Sequence, residues 1–296
     1  MKLRNIGYAC INICQSLTTS RTFRLANLTD ARVEETIKQN IDNLRKILSW
    51  NVENGIGLFR IGSSFIPFAS HAGFTYNWKQ KFAAEFEEIR NYVKDNKLRL
   101  SMHPGQYTVL NSPTEKIVTN SIAELEWQAE LLQLLDPDGG VMVLHVGGVY
   151  GDKEASMNRF IRNFEQLSPV AQHFLGLEND DKSFMLDDVL HICRAVKIPL
   201  VFDIFHHQCN FTGASWQQNL IPRLETTMQT WHNRVPKLHI SSQKPGTKTS
   251  HADFILKEDF ETLLNIMDQV KTQPYFDLMV EAKLKESAAL ALIADK

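Results

Sequence analysis

The sequence predicts an α/β protein, a single-domain (β/α)8 TIM barrel spanning residues 1–296. Three observations favour this fold. Short apolar segments alternate with longer amphipathic segments, which is typical of parallel strands joined by helical crossovers. The alternation repeats eight times in 296 residues, a length that suits a closed barrel better than an open doubly wound sheet. No linker, low-complexity run or internal repeat interrupts the alternation, so we expect one domain.

The first four strand–helix units lie in the amino-terminal half. The first helix has the clearest pattern, because apolar residues from Val33 to Val52 recur at spacings of three and four and Gly55 is placed to end it. The segment 112–115 (SPTE) matches a capping box with proline at the first helical position. The predicted strands cover residues 3–11, 57–62, 98–102 and 141–144, and the helices cover residues 33–52, 77–96, 112–135 and 153–167.

The second half continues the same order. Residues 199–202 are apolar and suit a strand that is buried on both faces, and Asp203 follows where this strand should end. Pro222 is expected in the first turn of the next helix rather than in its middle. The other predicted strands cover residues 174–177, 237–241 and 276–280, and the helices cover residues 186–193, 224–231, 254–270 and an Ala- and Leu-rich segment after Glu281.

Composition indicates an ordinary globular protein, with 43% hydrophobic and 22% charged residues. No apolar run has membrane-spanning length, and the first residues lack the apolar core of a signal peptide, so we expect a cytoplasmic protein with no membrane partner. Four cysteines without a CxxC pair also favour a reducing compartment. The net charge of −2 gives no support for a nucleic-acid partner and does not exclude one, since binding needs only a local basic face.

Ligand-type side chains end or follow nearly every predicted strand. In a barrel of this kind the carboxyl ends of the strands meet at one face, where the active site forms. One histidine in isolation is more often structural, but chance placement of so many at one face is improbable. The residues expected there are His71, His103, His145, Glu178, Asp203, His206, Lys237, His239, His251 and Glu281.

Imidazole and carboxylate groups without thiolates suit Zn²⁺, Mn²⁺ or Fe²⁺. The number of candidate ligands exceeds what one ion uses, so we expect two or three divalent ions. Asp203 and His206 are three residues apart, so their side chains would point to opposite faces of a continuous strand. They can share a site only if His206 has already left the strand. Clustered metals favour phosphodiester hydrolysis as the leading chemistry, with sugar isomerisation in a two-metal barrel as the competing one.

Motifs along the whole chain resemble those of UV-damage endonucleases of the UvsE/UVDE type, which are relatives of endonuclease IV. Each motif is weak alone, but the HPGQY and DxxHH segments are specific in combination. The matching segments are 7–8 with Asn12, 59–61 (FRI), 70–71 (SH), 101–107 (SMHPGQY), 144–148 (LHVGG), 177–180 (LEND), 203–207 (DIFHH), 237–242 (KLHISS), 251–253 (HAD) and 280–283 (VEAK).

This resemblance implies a TIM barrel with up to three divalent ions, usually Mn²⁺. His71 would lie in the same site, and Lys237, which is carboxylated in some members, would bear on the metals, so both are candidate catalytic residues. The alternative for Lys237 is an unmodified amine paired with a carboxylate. The implied metal ligands are His103, His145, Glu178, Asp203, His206, His239, His251 and Glu281.

The resemblance also implies DNA contacts. Gln106 and Tyr107 match a pair that enters the duplex at the lesion, and Tyr8 and Asn12 match positions that line the pocket for the damaged dinucleotide. Tyr107 could instead be a loop aromatic packed on the barrel rim. A phosphate-binding face could come from loop cations, which could equally be ordinary solvated charges: Arg21, Arg24, Lys153, Lys244 and Lys248.

The implied activity is a metal-dependent repair nick immediately 5′ to cyclobutane dimers and 6-4 photoproducts, with abasic sites as a further substrate to examine, leaving 3′-hydroxyl and 5′-phosphate ends. The partner would be damaged double-stranded DNA, bound by a monomer in the cytoplasm at the nucleoid of a prokaryote. The alternatives are an abasic-site endonuclease of the endonuclease IV type, a two-metal sugar isomerase and a non-catalytic lesion-binding module. The role of His207 stays open, with orientation of a metal ligand as one interpretation.

Overall fold

The computed structural model describes residues 1–213 and 215–294. Within these ranges eight parallel strands close into a barrel, and strands adjacent in the barrel follow one another along the chain, which confirms the predicted fold class. A short antiparallel pair, β2 (Ile11–Asn12) and β3 (Leu17–Thr18), projects after the first strand. The barrel strands are β1 (Lys2–Ala9), β4 (Leu58–Arg60), β5 (Arg99–Met102), β6 (Val141–His145), β7 (Leu175–Glu178), β8 (Leu200–Asp203), β9 (Lys237–Ile240) and β10 (Tyr275–Val280).

Helices connect the strands and cover the barrel. A 3₁₀ turn at Leu25–Asn27 precedes the first of them. The described helices are α1 (Asp30–Glu53), α2 (Trp78–Lys81), α3 (Ala83–Asp95), α4 (Glu115–Leu135), α5 (Lys153–Phe164), α6 (Pro169–Phe174), α7 (Leu186–Val196), α8 (Ile204–Asn210), α9 (Leu220–Gln229), α10 (Lys257–Gln269) and α11 (Lys285–Ala294). No helix in these ranges is both long enough and apolar enough to span a membrane.

Helix α1 shows how the apolar pattern builds the outer layer. Its residues at three- and four-residue spacing, including Val33, Ile37 and Leu44, are buried as predicted. Thr29 caps the helix by accepting a hydrogen bond from the Arg32 amide. Gly55 follows the helix with a φ of 71°, the left-handed conformation that glycine adopts without steric cost.

A buried ion-pair network closes the amino-terminal end of the barrel. Asp277 on β10 is fully buried, and its Oδ2 lies 2.9 Å from Arg99 Nη1 and 2.6 Å from Arg4 Nη2. Arg99 also donates to the carbonyl oxygens of Gly139 and Val235. These contacts join β1, β5 and β10 at this end of the barrel.

Several predicted element boundaries are wrong. The capping box fails because Ser112 Oγ accepts from the Thr114 amide in a turn ahead of the helix, so α4 begins at Glu115. The helix over 77–96 is two helices, since the chain leaves helical dihedral angles at Phe82. The strand predicted from Phe174 begins one residue later, because Ser168 caps the additional helix α6, which ends at Phe174.

Candidate metal centre

Glu178 is the centre of the polar cluster at the carboxyl ends of the strands. It ends β7 and is 1% exposed. Its Oε1 lies 2.7 Å from His239 Nδ1 and 3.5 Å from His206 Nδ1. Its Oε2 lies 3.2 Å from His103 Nε2 and 3.5 Å from His145 Nε2. One buried carboxylate therefore faces four imidazoles that come from four different strand ends.

The transition from β8 to α8 places Asp203 and His206 beside this carboxylate. Asp203 ends the strand and caps the helix, since its Oδ1 accepts from the His206 amide at 2.8 Å. His206 has therefore left the strand, as its parity requires, and its Nδ1 lies 3.8 Å from Asp203 Oδ2. Asn179 fixes the arrangement by exchanging two hydrogen bonds with the backbone of Asp203.

Two groups of side chains have ligand atoms close enough to hold an ion. The first is His103, His145 and Glu178, and the second is Glu178, Asp203 and His239; in each group the ligand atoms lie within 4.8 Å of one another. Glu178 belongs to both groups. Among the described residues, Asp203 Oδ2 is buried without a hydrogen-bond partner, as expected of an atom left for a cation.

The protonation states show how much the cluster depends on charge compensation. Burial raises the pKa of Asp203 to about 7, although the neighbouring His206 opposes the rise. Burial alone would lower the pKa of His206, but Asp203 and Glu178 raise it to about 9. Burial would likewise raise the pKa of Glu178, yet His239 and His145 hold it well below its usual range. A divalent cation would take over the compensating role of these protons.

Glu281 and Arg60 form the edge of the cluster. An Arg60 Nη2 contact joins the guanidinium to Glu281 Oε1, and the same nitrogen lies 3.1 Å from His239 Nε2. Burial would raise the pKa of Glu281, but Arg60 and His239 lower it far below its usual range. Glu281 Oε1 is 3.3 Å from His239 Nδ1, so Glu281 borders the second ligand group. Arg60 is 7% exposed and orients both residues.

Lys237 lies in the barrel interior beneath this cluster. The side chain is fully buried, and its Nζ has no hydrogen-bond partner in the described part of the chain. Burial, reinforced by the nearby positive charges of Arg60 and Arg99, holds the pKa of Lys237 well below its usual value. The alternative pairing of Lys237 with a carboxylate is therefore absent among residues 1–213 and 215–294.

A cavity of about 1180 Å³ opens from the ligands toward the surface. His103 and His145 lie at its inner end, and Gln106 and Tyr107 line it further out. Tyr107 is 84% exposed, so its ring is not packed on the barrel rim. An exposed aromatic side chain beside a ligand cluster is placed to contact a large substrate.

Comparisons with known proteins agree with this geometry. The family model for UV-endonuclease UvdE matches residues 4–296. A UV DNA damage endonuclease of Clostridium perfringens is 38% identical over 294 residues, which cover 97% of this chain and 69% of the relative. A UV DNA damage endonuclease of Bacillus thuringiensis is 33% identical over 266 residues, which cover 89% and 83% of the two chains. This chain belongs to the UvdE family.

Solved structures show the same relationship. The crystal structure of SacUVDE superposes with a TM-score of 0.89 at 38% identity, covering 98% of this chain and 97% of that one. Endonuclease IV from Thermus thermophilus has a TM-score of 0.59 at 14% identity, with 98% of each chain covered, and this likeness shows a similar fold. The predicted resemblance to UV-damage endonucleases is confirmed, and with it the prediction of an endonuclease.

Within this UvdE-family chain, other predicted site residues lie apart from the Glu178 carboxylate. His251 is half-buried, with its Nδ1 3.3 Å from Ser241 Oγ and its ring centroid 6.3 Å from that of His206. His71 is exposed, and its Nδ1 accepts from the Gly73 amide. In the described ranges no hydrogen bond or ion pair joins His71 to the ligand groups. Its predicted role therefore stays a prediction.

The two residues expected in the lesion pocket are interior. Tyr8 and Asn12 are both fully buried. The Tyr8 hydroxyl donates to Asn51 Oδ1 at 2.8 Å and accepts from Asn12 Nδ2 at 2.9 Å. In this conformation neither side chain lines the cavity that contains Gln106 and Tyr107. Their role in lesion binding stays a prediction.

His207 has a local partner. Its ring lies among Phe202, Phe211 and Trp216, and its Nε2 is 3.0 Å from the Trp216 carbonyl oxygen. Through this contact His207 holds the backbone at Trp216, ahead of α9. It orients no metal ligand among the residues that the structure describes. Among the loop cations, Lys153 is paired with Asp188, while the others are exposed: Arg21, Arg24, Lys244 and Lys248.

Sequence reasoning missed Arg60 as a site residue. Arg60 lies in a matching motif, but its side chain is positively charged and cannot be a metal ligand. Its residue type therefore gave no indication of a place in the metal site. The available signal was its position, since Arg60 ends β4 at the same face as the other strand-end residues. A guanidinium at a buried strand end requires an anionic partner, which here is Glu281.

Proposed function

We propose that this protein uses divalent metal ions to nick DNA immediately 5′ to UV photoproducts, leaving 3′-hydroxyl and 5′-phosphate ends. The observation that carries the proposal is Glu178, a buried carboxylate shared by two ligand groups, the first of which borders the cavity through His103 and His145. Family membership supplies the substrate class, because the matched relatives are named UV DNA damage endonucleases.

The residues of the cluster fit divalent ions. Nitrogen and oxygen donors without thiolates suit Mn²⁺ and also Zn²⁺, and we propose Mn²⁺. The orphaned oxygen of Asp203 and the four imidazoles around Glu178 offer oxygen and nitrogen atoms at the same end of the barrel. Bound ions of this kind stabilise negative charge on a phosphate and lower the pKa of water. His206, His251 and Glu281 would complete two or three sites.

The chain's own residues perform the remaining tasks. Arg60 holds Glu281 and His239 in place from the inner side of the cluster. Gln106 and Tyr107 would enter the duplex at the lesion, where stacking and pairing are already weakened and extrusion of the damaged bases costs less. The exposed ring of Tyr107 supports that role because it has no packing partner to leave.

Lys237 would act in its carboxylated form. Carbamate formation joins a neutral amine to CO₂ and releases a proton, and the lowered pKa of Lys237 increases the neutral fraction of its amine. Its nitrogen also has no hydrogen-bond partner in the described residues, so the modification would break no existing hydrogen bond of that nitrogen. The modified side chain would replace an uncompensated buried amine by an anionic ligand for the ions.

A nicking assay on supercoiled plasmid tests the proposal. UV-irradiated and unirradiated plasmids are incubated with the protein in Mn²⁺ or in EDTA, and open circles are counted by gel. We expect cutting only of irradiated plasmid and only with Mn²⁺. Equal cutting of both plasmids would refute lesion specificity. Cutting of abasic plasmid alone would favour an endonuclease IV-type activity, and binding without cutting would favour a lesion-binding module.

A further inference from the structure

Tyr150 is an aromatic residue of the cavity that has no part in the ligand groups. It lies in the loop between β6 and α5 and lines the same cavity as Gln106 and Tyr107. Its side chain is 47% exposed, although tyrosine is large and mostly apolar. The cavity therefore has aromatic surface on two separate loops.

Two contacts hold the Tyr150 ring in position. Arg159 Cζ lies 5.5 Å from the ring centroid, within the range of a cation–π interaction. Arg159 is itself fixed, because its Nε donates to the Asn111 carbonyl oxygen at 2.9 Å. A Cβ placed on Gly148 would lie 3.1 Å from the Tyr150 ring, so the ring rests directly against the backbone there. The exposed part of the ring is thus presented by a rigid support.

The backbone at Tyr150 is unfavourable for tyrosine. Its φ is 52°, in the left-handed region, and the nearby Gly147 and Gly151 also have positive φ values of 115° and 83°. Glycine or asparagine adopts this conformation more readily than an aromatic residue does. Since nearly half of the side chain is exposed, its burial stabilises the fold too little to offset the cost of this backbone conformation. Strained residues of this kind cluster at functional sites, where the exposed group is needed for binding.

We propose that Tyr150 is a second stacking residue of this cavity and receives an unstacked nucleobase of the damaged duplex. The inference rests on the proposed function, since it assumes a DNA substrate. Aromatic rings bind bases of any sequence by stacking on their faces. The cavity volume of about 1180 Å³ exceeds the roughly 300–1,000 Å³ of single small-molecule sites, which leaves room for more than one nucleotide. Lys182 lines the same cavity with a 73% exposed side chain and can reach a phosphate.

The test measures binding of a fluorescein-labelled duplex that carries one thymine dimer, by fluorescence anisotropy in EDTA. Tyr150→Asn removes the ring but suits the left-handed backbone, so we expect an unchanged or higher melting temperature and roughly tenfold weaker binding. Tyr150→Phe keeps the ring and should bind as the wild type does. Tyr275→Ala is the matched control, since Tyr275 is also 47% exposed but begins β10 at the opposite end of the barrel.

A second readout identifies the bound group. With 2-aminopurine placed at positions flanking the lesion on either strand, at least one position should be quenched by the wild type and not by Tyr150→Asn. Equal affinity of wild type and Tyr150→Asn, with discrimination against undamaged duplex intact, would overturn this inference alone. If the wild type does not distinguish the damaged duplex, the proposed function falls as well. A lower melting temperature of Tyr150→Asn with wild-type affinity would assign the ring a structural role.

Discussion

Replacement of Glu178 by glutamine should weaken both ligand groups at once. Glu178 is the residue that the two groups share, so Glu178→Gln removes one charged oxygen ligand from each. Changes to residues that merely orient a metal ligand cost about 10- to 100-fold in metal affinity, so loss of the direct ligand should cost at least about 100-fold. Glutamine has nearly the same volume, which separates the loss of charge from a packing defect.

Matched variants make this prediction specific to the shared carboxylate. His145→Ala should weaken only the first group, and Asp203→Asn should weaken only the second. Titration calorimetry with Mn²⁺, together with metal content by mass spectrometry, measures the affinity and the number of bound ions. Circular dichroism checks that each variant folds.

If Glu178→Gln binds as many ions as the wild type with the same affinity, Glu178 is not a ligand shared by the two groups. Loss of all bound metal in His145→Ala would equally contradict the division into two groups, because Glu178, Asp203 and His239 remain together in that variant.

Three further predictions concern other parts of the site. Gln106→Ala combined with Tyr107→Ala should impair incision of irradiated DNA and leave metal content unchanged; loss of metal, or full activity, would exclude a probing role. In EDTA, the buried Asp203 keeps its proton up to about pH 7, whereas in the unfolded chain it releases it near about pH 4. Protonation of Asp203 therefore stabilises the folded state at low pH, and this stabilisation is lost as the pH rises from about 4 to about 7. In urea titrations over this range, the free energy of unfolding of Asp203→Asn should rise relative to that of the wild type by up to about 1.4 kcal/mol per pH unit. Lys237→Met should raise metal-free stability by about 1–3 kcal/mol, because it removes a buried donor without a partner in the described residues, and should abolish incision. A less stable Lys237→Met variant, or a constant difference for Asp203→Asn, would contradict these expectations.

The sequence predicted the barrel because its signal is periodic. The apolar positions of α1 and the buried run of β8 follow from local pattern alone. The parity of Asp203 and His206 even required the chain to leave the strand between them, and α8 begins at Ile204. Helix starts were less predictable, since Ser112 has the same residue type whether it caps a helix or a turn.

The sequence predicted which histidine and carboxylate residues lie at the same end of the barrel, but it did not predict the residues that hold them in place. Histidine and carboxylate residues are recognisable in the sequence as possible metal ligands, and the barrel brings the carboxyl ends of its strands together. Arg60 was missed because its role depends on the distance to Glu281 across the barrel, which no local pattern contains. The burial of Tyr8 was likewise beyond the sequence, because it depends on packing with Asn51 and Asn12.

Incision of a duplex with one cyclobutane dimer at a known position is the decisive test of lesion-directed cleavage by the metal cluster. With Mn²⁺ and the damaged strand labelled at either end, we predict one cut immediately 5′ to the dimer, with a 3′-hydroxyl and a 5′-phosphate. Glu178→Gln should leave that strand intact. A cut at any other place, a cut of the undamaged duplex, or full incision by Glu178→Gln would refute cleavage of this kind.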